Sequence, residues 1–268
     1  MKKHILLILT ILFFVINSFA QNCEYTEYYP LVELARKNYS DKKYKEAEKN
    51  LKIAFTKTEH PFGADLHFAI AVAQKQKNNE WAEQIAICLA KGGVPLRYFR
   101  YHKKYEWYDK FNVDFKTYLD YYKENYNQEL RDNFLSLLNR DKEFNSKYHD
   151  WRTREIELTL EELINGASEI ISDFNQITDK YGFPNEKLMG YHYVHRKNSI
   201  EHYRSEVLII HIYQRGVLIF ENEIDKIICD GGLPPNYEQT LKKIRGFGNS
   251  TGVEQEMKVR YAKYRGTE

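Results

Sequence analysis

Residues 41–54 read Asp-Lys-Lys-Tyr-Lys-Glu-Ala-Glu-Lys-Asn-Leu-Lys-Ile-Ala, and their spacing decides the fold. Tyr44, Ala47, Leu51 and Ala54 recur at intervals of three and four, which puts them on one face of a helix with charges on the other. Asp41-Lys42-Lys43 is the polar turn before that helix. Upstream, Leu31, Leu34 and Ala35 form a matching stripe, so residues 28–58 are predicted to fold as a helical hairpin. The pattern returns downstream. Ala69 and Ala73 are followed by a polar break at Asn78-Asn79, then by Trp81-Ala82, Ala86 and Leu89. Lys91-Gly92-Gly93-Val94-Pro95 is a helix stop, with glycine at the C-terminal cap and proline beyond it.

Ala47 and Ala82 are 35 residues apart, with small residues where helices would touch. Residues 28–91 therefore resemble tetratricopeptide repeats, whose Tyr-x-x-Ala is matched by Tyr44 to Ala47. The second unit lacks that family's leading Trp or Leu pattern, and Pro61 falls two residues late. An unrelated helical bundle is the other reading. The resemblance implies stacked helix pairs that take up a protein or peptide partner on a concave face. Two units are short for such an array and would lean on the segment that follows.

That segment is aromatic and, at its start, basic. Tyr98, Phe99, Tyr101, Tyr105, Trp107, Tyr108 and Phe111 are interleaved with Arg97, Arg100, Lys103 and Lys104. Tyr101, Tyr105, Trp107 and Tyr108 are candidates for stacking on a ligand. The helical spacing of these rings instead predicts a core between two halves of the chain. Residues 116–145 and 156–181 read as two further helices, the first with Asn139-Arg140-Asp141 near its end, the second stopped by Gly182-Phe183-Pro184. The apolar stretch 206–221 fits either a short β-hairpin or buried helices. Periodicity does not separate these, and the helical surroundings favour helices. The expected fold is mainly α: helical-repeat-like hairpins over 21–94, an aromatic helical connector over 95–128, and a helical C-terminal domain over 129–268.

The N-terminus has a different character. Lys2-Lys3, an apolar run from Ile5 to Ile16 and Ser18-Phe19-Ala20 together read as a secretory signal peptide cut near Ala20. Its removal takes two lysines and no acid from the 40 basic and 38 acidic residues, leaving a neutral chain. A neutral exported protein is not expected to bind nucleic acid. No later stretch is long and apolar enough to span a bilayer. Cys23, Cys88 and Cys229 allow one disulfide and one spare thiol in an oxidising compartment, with the pairing open. Cys88 lies in an apolar helical run and reads as a small buried hydrophobe. Asn22 stands before Cys23 where a lipoprotein signal has a small residue.

Residues 129–235 resemble an uncharacterised domain of bacterial secreted or envelope-associated proteins. The ordered motifs are Leu137-Leu138-Asn139-Arg140-Asp141-Lys142, Asp173-Phe174-Asn175, Gly182-Phe183-Pro184, Gly190, Ile209-Ile210-His211 and Gly231. Ile210 replaces a frequent Gln, and Arg265-Gly266-Thr267 is at most a remnant of the closing motif. The resemblance implies architecture and assigns no activity.

Candidate chemistry is sparse. His211 interrupts the most apolar run, so its imidazole needs a partner or a cavity. With Asp141 or Asp173 to orient it, His211 would be the general base of a hydrolase-like site. Otherwise it is a core histidine that holds helices in register. His192 and His195, with Glu201-His202 nearby, have the spacing of metal ligands, but a solvated His-rich loop explains them as well. Gly246-Phe247-Gly248 lacks the flanking strand and helix of a phosphate loop, and no cofactor is expected.

Overall fold

The computed structural model describes residues 23–153 and 155–244. The leader-like residues 1–20, Gly246-Phe247-Gly248 and Arg265-Gly266-Thr267 lie outside them. The fold is mainly α. The first hairpin pairs α1 (Glu24–Ser40) with α2 (Tyr44–Phe55) across the turn read from sequence, where Lys42 adopts a left-handed φ of 61°. The second pairs α3 (Gly63–Gln76) with α4 (Asn79–Lys91), and Asn78 caps α4 by accepting the Trp81 N–H at 3.1 Å. Ala47, Ala54, Ala69, Ala73, Ala86 and Ala90 are all buried, which lets the helices approach closely.

A one-turn helix α5 (Leu96–Phe99) and a 3-10 turn over Arg100–His102 then lead to α6 (Tyr108–Asn125). The expected helical phase of the aromatic tract therefore breaks at 100–107. Tyr98, Phe99, Trp107, Tyr108 and Phe111 pack into the core formed by the two hairpins. The single helix expected over 116–145 is instead split. Tyr126 is extended, and Asn127 starts α7 (Gln128–Arg152) by accepting the Leu130 N–H at 2.8 Å. Asn139-Arg140-Asp141 thus lies in mid-helix, not near an end. Next, α8 (Leu160–Tyr181) begins at a capping box between Thr159 and Glu162, four residues later than the apolar stripe alone predicts.

After a one-turn helix α9 (Glu186–Met189) comes the one sheet among the described residues, β1 (His192–Val194) against β2 (Ser199–Glu201). It is antiparallel, with His192 opposite Glu201 and Tyr193 opposite Ile200. The solvated His-rich loop expected here is therefore an ordered hairpin. It is held because Tyr191 and Ile200 are buried in the first core. Tyr191 lies flat on Gly92, where a Cβ would come within 2.2 Å of its ring, and its N–H donates to the Gly92 carbonyl at 2.7 Å. The stretch 206–221 forms no hairpin. It contains α10 (Ser205–Gln214) and an irregular turn leading to α11 (Ile224–Cys229) and α12 (Asn236–Ile244). Leu208, Ile209 and Ile212 face a second core built with Leu130, Phe134 and Leu137 of α7 and Phe174 of α8.

Other contacts link the cores besides the β-hairpin. Cys23 and Cys229 form a disulfide with Cα atoms 4.6 Å apart. Tyr25 packs on Gly231, whose φ of 76° and missing Cβ admit the ring. The Gly63 N–H donates to Glu186 Oε2 at 2.7 Å. Cys88 is the free thiol and is exposed on α4, not buried as its apolar neighbours predict. No helix among the described residues is long and apolar enough to cross a membrane.

Candidate functional site

The three residues singled out for catalysis separate into two places. His211 Nδ1 on α10 lies 2.6 Å from Asp141 Oδ2 on α7. Sequence reasoning missed the third member, Arg215, whose guanidinium is 3.0 Å from Asp141 Oδ1 and stacks on Phe144 at 4.7 Å. Asp141 and Arg215 are each only 2% exposed. Burial lowers the Arg215 pKa against the pull of Asp141. The arrangement is a sealed ion pair with a histidine on one flank. Asp173 is elsewhere, paired with Arg140 on the surface, in a shallow polar groove that also includes Ser136 and Lys180.

The other candidates are likewise dispersed. Tyr101 is 75% exposed, Tyr105 is half-buried, and Trp107 and Tyr108 are buried, so the four present no continuous stacking face. His192 stacks on Tyr203 at 5.0 Å, whereas His195 is exposed. No group of three His, Cys, Asp or Glu that could hold a metal occurs among the described residues.

A larger site lies at the junction of the two cores. A cleft of about 830 Å³ runs between α1 and the segment 228–237. Its walls are Tyr25, Tyr29, Pro30 and Val32 on one side and Ile228, Pro234, Pro235 and Tyr237 on the other, and Cys23 closes one part. Glu33, Arg36, Asp65 and His202 supply its charges. The α1 spacing explains that wall, because Tyr25, Tyr29, Val32 and Arg36 fall at intervals of four, three and four.

The polar floor is a connected network. Asp65 accepts from Tyr28 Oη at 2.7 Å and from Arg36 at 2.5 Å. Tyr28 Oη in turn accepts the Phe62 N–H at 3.2 Å, and burial together with Asp65 raises the Tyr28 pKa far above the ordinary phenol value. His202 rests edge-on against Phe62 with ring centres 4.8 Å apart, and its Nδ1 lies 3.5 Å from Glu186 Oε1. Burial opposes protonation of His202, but the Glu186 carboxylate, with Asp65 and Glu206 beyond it, outweighs this and raises its pKa. Burial raises the Glu206 carboxyl as well. Glu206 interacts electrostatically with His202 and is hydrogen-bonded to Tyr237, a wall of the cleft.

Only His202 of this network attracted attention in the sequence. Asp65 had one signal, an acid in the first turn of an apolar helix just after Phe62-Gly63. Arg36 had another, a lone cation on an aromatic stripe. Compared with known proteins, the chain is matched by no family model, no curated protein and no solved structure.

Proposed function

We propose that this protein is an exported, non-catalytic interaction protein, and that the cleft between α1 and residues 228–237 receives a segment of a protein or peptide partner. The cleft carries this reading. Its volume falls within the range of binding sites, about 300–1,000 Å³, and its aromatic and prolyl walls surround a few fixed polar groups. The polar groups are held by one another, as recognition requires, and no lining residue is a serine or a free cysteine that His202 would activate. Export is supported by the Lys2-Lys3, apolar-run and Ser18-Phe19-Ala20 sequence, and a Cys23–Cys229 disulfide is in keeping with it. The tetratricopeptide-like spacing of residues 28–91 favours an interaction role for the helices that form one wall. The competing hydrolase reading at His211 has less support, because Asp141 is already neutralised by Arg215 and Asp173 is bound to Arg140.

Photo-crosslinking in the producing cell tests the proposal. A benzophenone side chain placed at exposed Glu33, on the cleft rim, should give a discrete adduct. The same group at Val113, 79% exposed on α6, should give none. Equal adducts at both positions, or adducts at Val113 alone, would overturn the assignment.

A further inference from the structure

We infer that the group this cleft receives is a cation, an amine or guanidinium carried next to an aromatic or apolar moiety. The inference rests on the cleft being the recognition site and adds the chemistry of its ligand.

Four carboxylates stand at or directly behind the cleft surface: Glu33, Asp65, Glu186 and Glu206. Against them are Arg36, Lys187, Arg204 near Glu206 and Tyr237, and the titratable His202. Arg36 is already taken by Asp65. Glu206 Oε2 remains without a hydrogen-bond partner, and Glu186 Oε1 has only His202 Nδ1, 3.5 Å away. Glu206 is only 6% exposed; it is hydrogen-bonded to Tyr237, which lines the cleft, and interacts electrostatically with His202. Neither Glu186 nor Glu206 lines the cleft, so these buried carboxylates would favour a ligand cation through their field and not by direct contact. The raised pKa of half-buried His202 reports the same negative field from inside the site. Low-dielectric walls focus such a field onto whatever enters. The walls suit a cation too, because Tyr25, Tyr29 and Tyr237 line them. Tyr25 already carries one, with the Lys187 ammonium 5.3 Å from its ring centre.

Three probes with one ring and different charge test the inference on the full mature chain: tyramine, 4-hydroxyphenylacetate and p-cresol, followed by protein-observed NMR. Tyramine should shift the His202 and Tyr237 resonances and bind at least about tenfold more tightly than the acid or the cresol. Glu206→Gln should weaken tyramine several-fold and leave p-cresol unchanged. Because Glu206 is buried, Glu33→Gln on the exposed rim provides a second variant that leaves the core intact, and it should weaken tyramine in the same direction. If p-cresol or the acid binds the cleft as tightly as tyramine, the cation inference fails and the cleft stands. If no probe moves a cleft resonance while the crosslink at Glu33 also fails, the cleft assignment falls and takes this inference with it.

Discussion

The His211–Asp141 pair lies between α7 and α10 with Arg215 on the far side of the carboxylate, whereas the His202–Glu186 pair lies where the two cores meet, with a cleft on its open side. Both join an imidazole to a buried acid. In the first, one guanidinium neutralises the carboxylate, and Phe144 covers that guanidinium, so the charges balance internally. In the second, the partner of Glu186 is His202 itself, and His202 reaches the cleft. A histidine–carboxylate pair is thus not in itself a site. Access distinguishes a place that receives something from one that holds helices together.

Breaking the sealed pair should have the largest effect. Asp141→Ala leaves Arg215 as an unpaired buried cation and should cost about 3–5 kcal/mol, read from urea unfolding, without altering tyramine affinity in the protein that remains folded. A loss below about 1 kcal/mol would mean that water reaches Arg215. The clasp beside the open site comes next. Cys23→Ser with Cys229→Ser releases a link spanning 206 residues and should cost about 2–4 kcal/mol, with the thermal midpoint falling accordingly.

The pH dependence sharpens the contrast further. His202 has a raised pKa in the folded chain, so its contribution is complete below the ordinary histidine value of 6.5 and is lost as pH rises through the folded value. Raised Glu206 acts in the same direction, removing stability as pH climbs above 4.5. His102, half-buried and hydrogen-bonded to Gln74 at 2.6 Å, works oppositely. Burial, with His67 and Lys104 nearby, pushes its pKa down to about 4, so stability falls as pH drops from 6.5 toward that value. His202→Gln should therefore flatten the alkaline side of the stability–pH curve and His102→Gln the acid side, both measured as urea midpoints over a pH series. The smallest change should come from Tyr101→Ala. Its exposed ring touches neither site, and its stability should remain within about 0.5 kcal/mol of wild type.

The two helical hairpins were legible because their apolar residues repeat at helical spacing and polar turns or glycines separate them. The caps at Asn127 and Thr159 were present in the sequence too, but an apolar stripe crossing them masked the break. The β-hairpin was not legible. Its segment is polar and carries only Tyr191 and Ile200 as anchors, and the glycine on which Tyr191 rests is about a hundred residues away. Arg215 reads as an ordinary helix end until Asp141, 74 positions earlier, is placed beside it. The His211–Asp141 pairing was anticipated from chemistry, but the seal around it was not. The cleft draws on residues 23–36, 65, 202 and 228–237. No local pattern joins these four stretches, because tertiary packing alone brings them together.

The ring resonances of His202 and His211, followed in one sample from about pH 5 to pH 9 with and without tyramine, test the contrast most directly. The account predicts that His202 titrates above the ordinary histidine value, moves downward in Glu186→Gln and shifts when tyramine is added, while His211 does not respond to tyramine. A His202 that titrates at or below the ordinary value, or a tyramine response at His211 and not at His202, would contradict it.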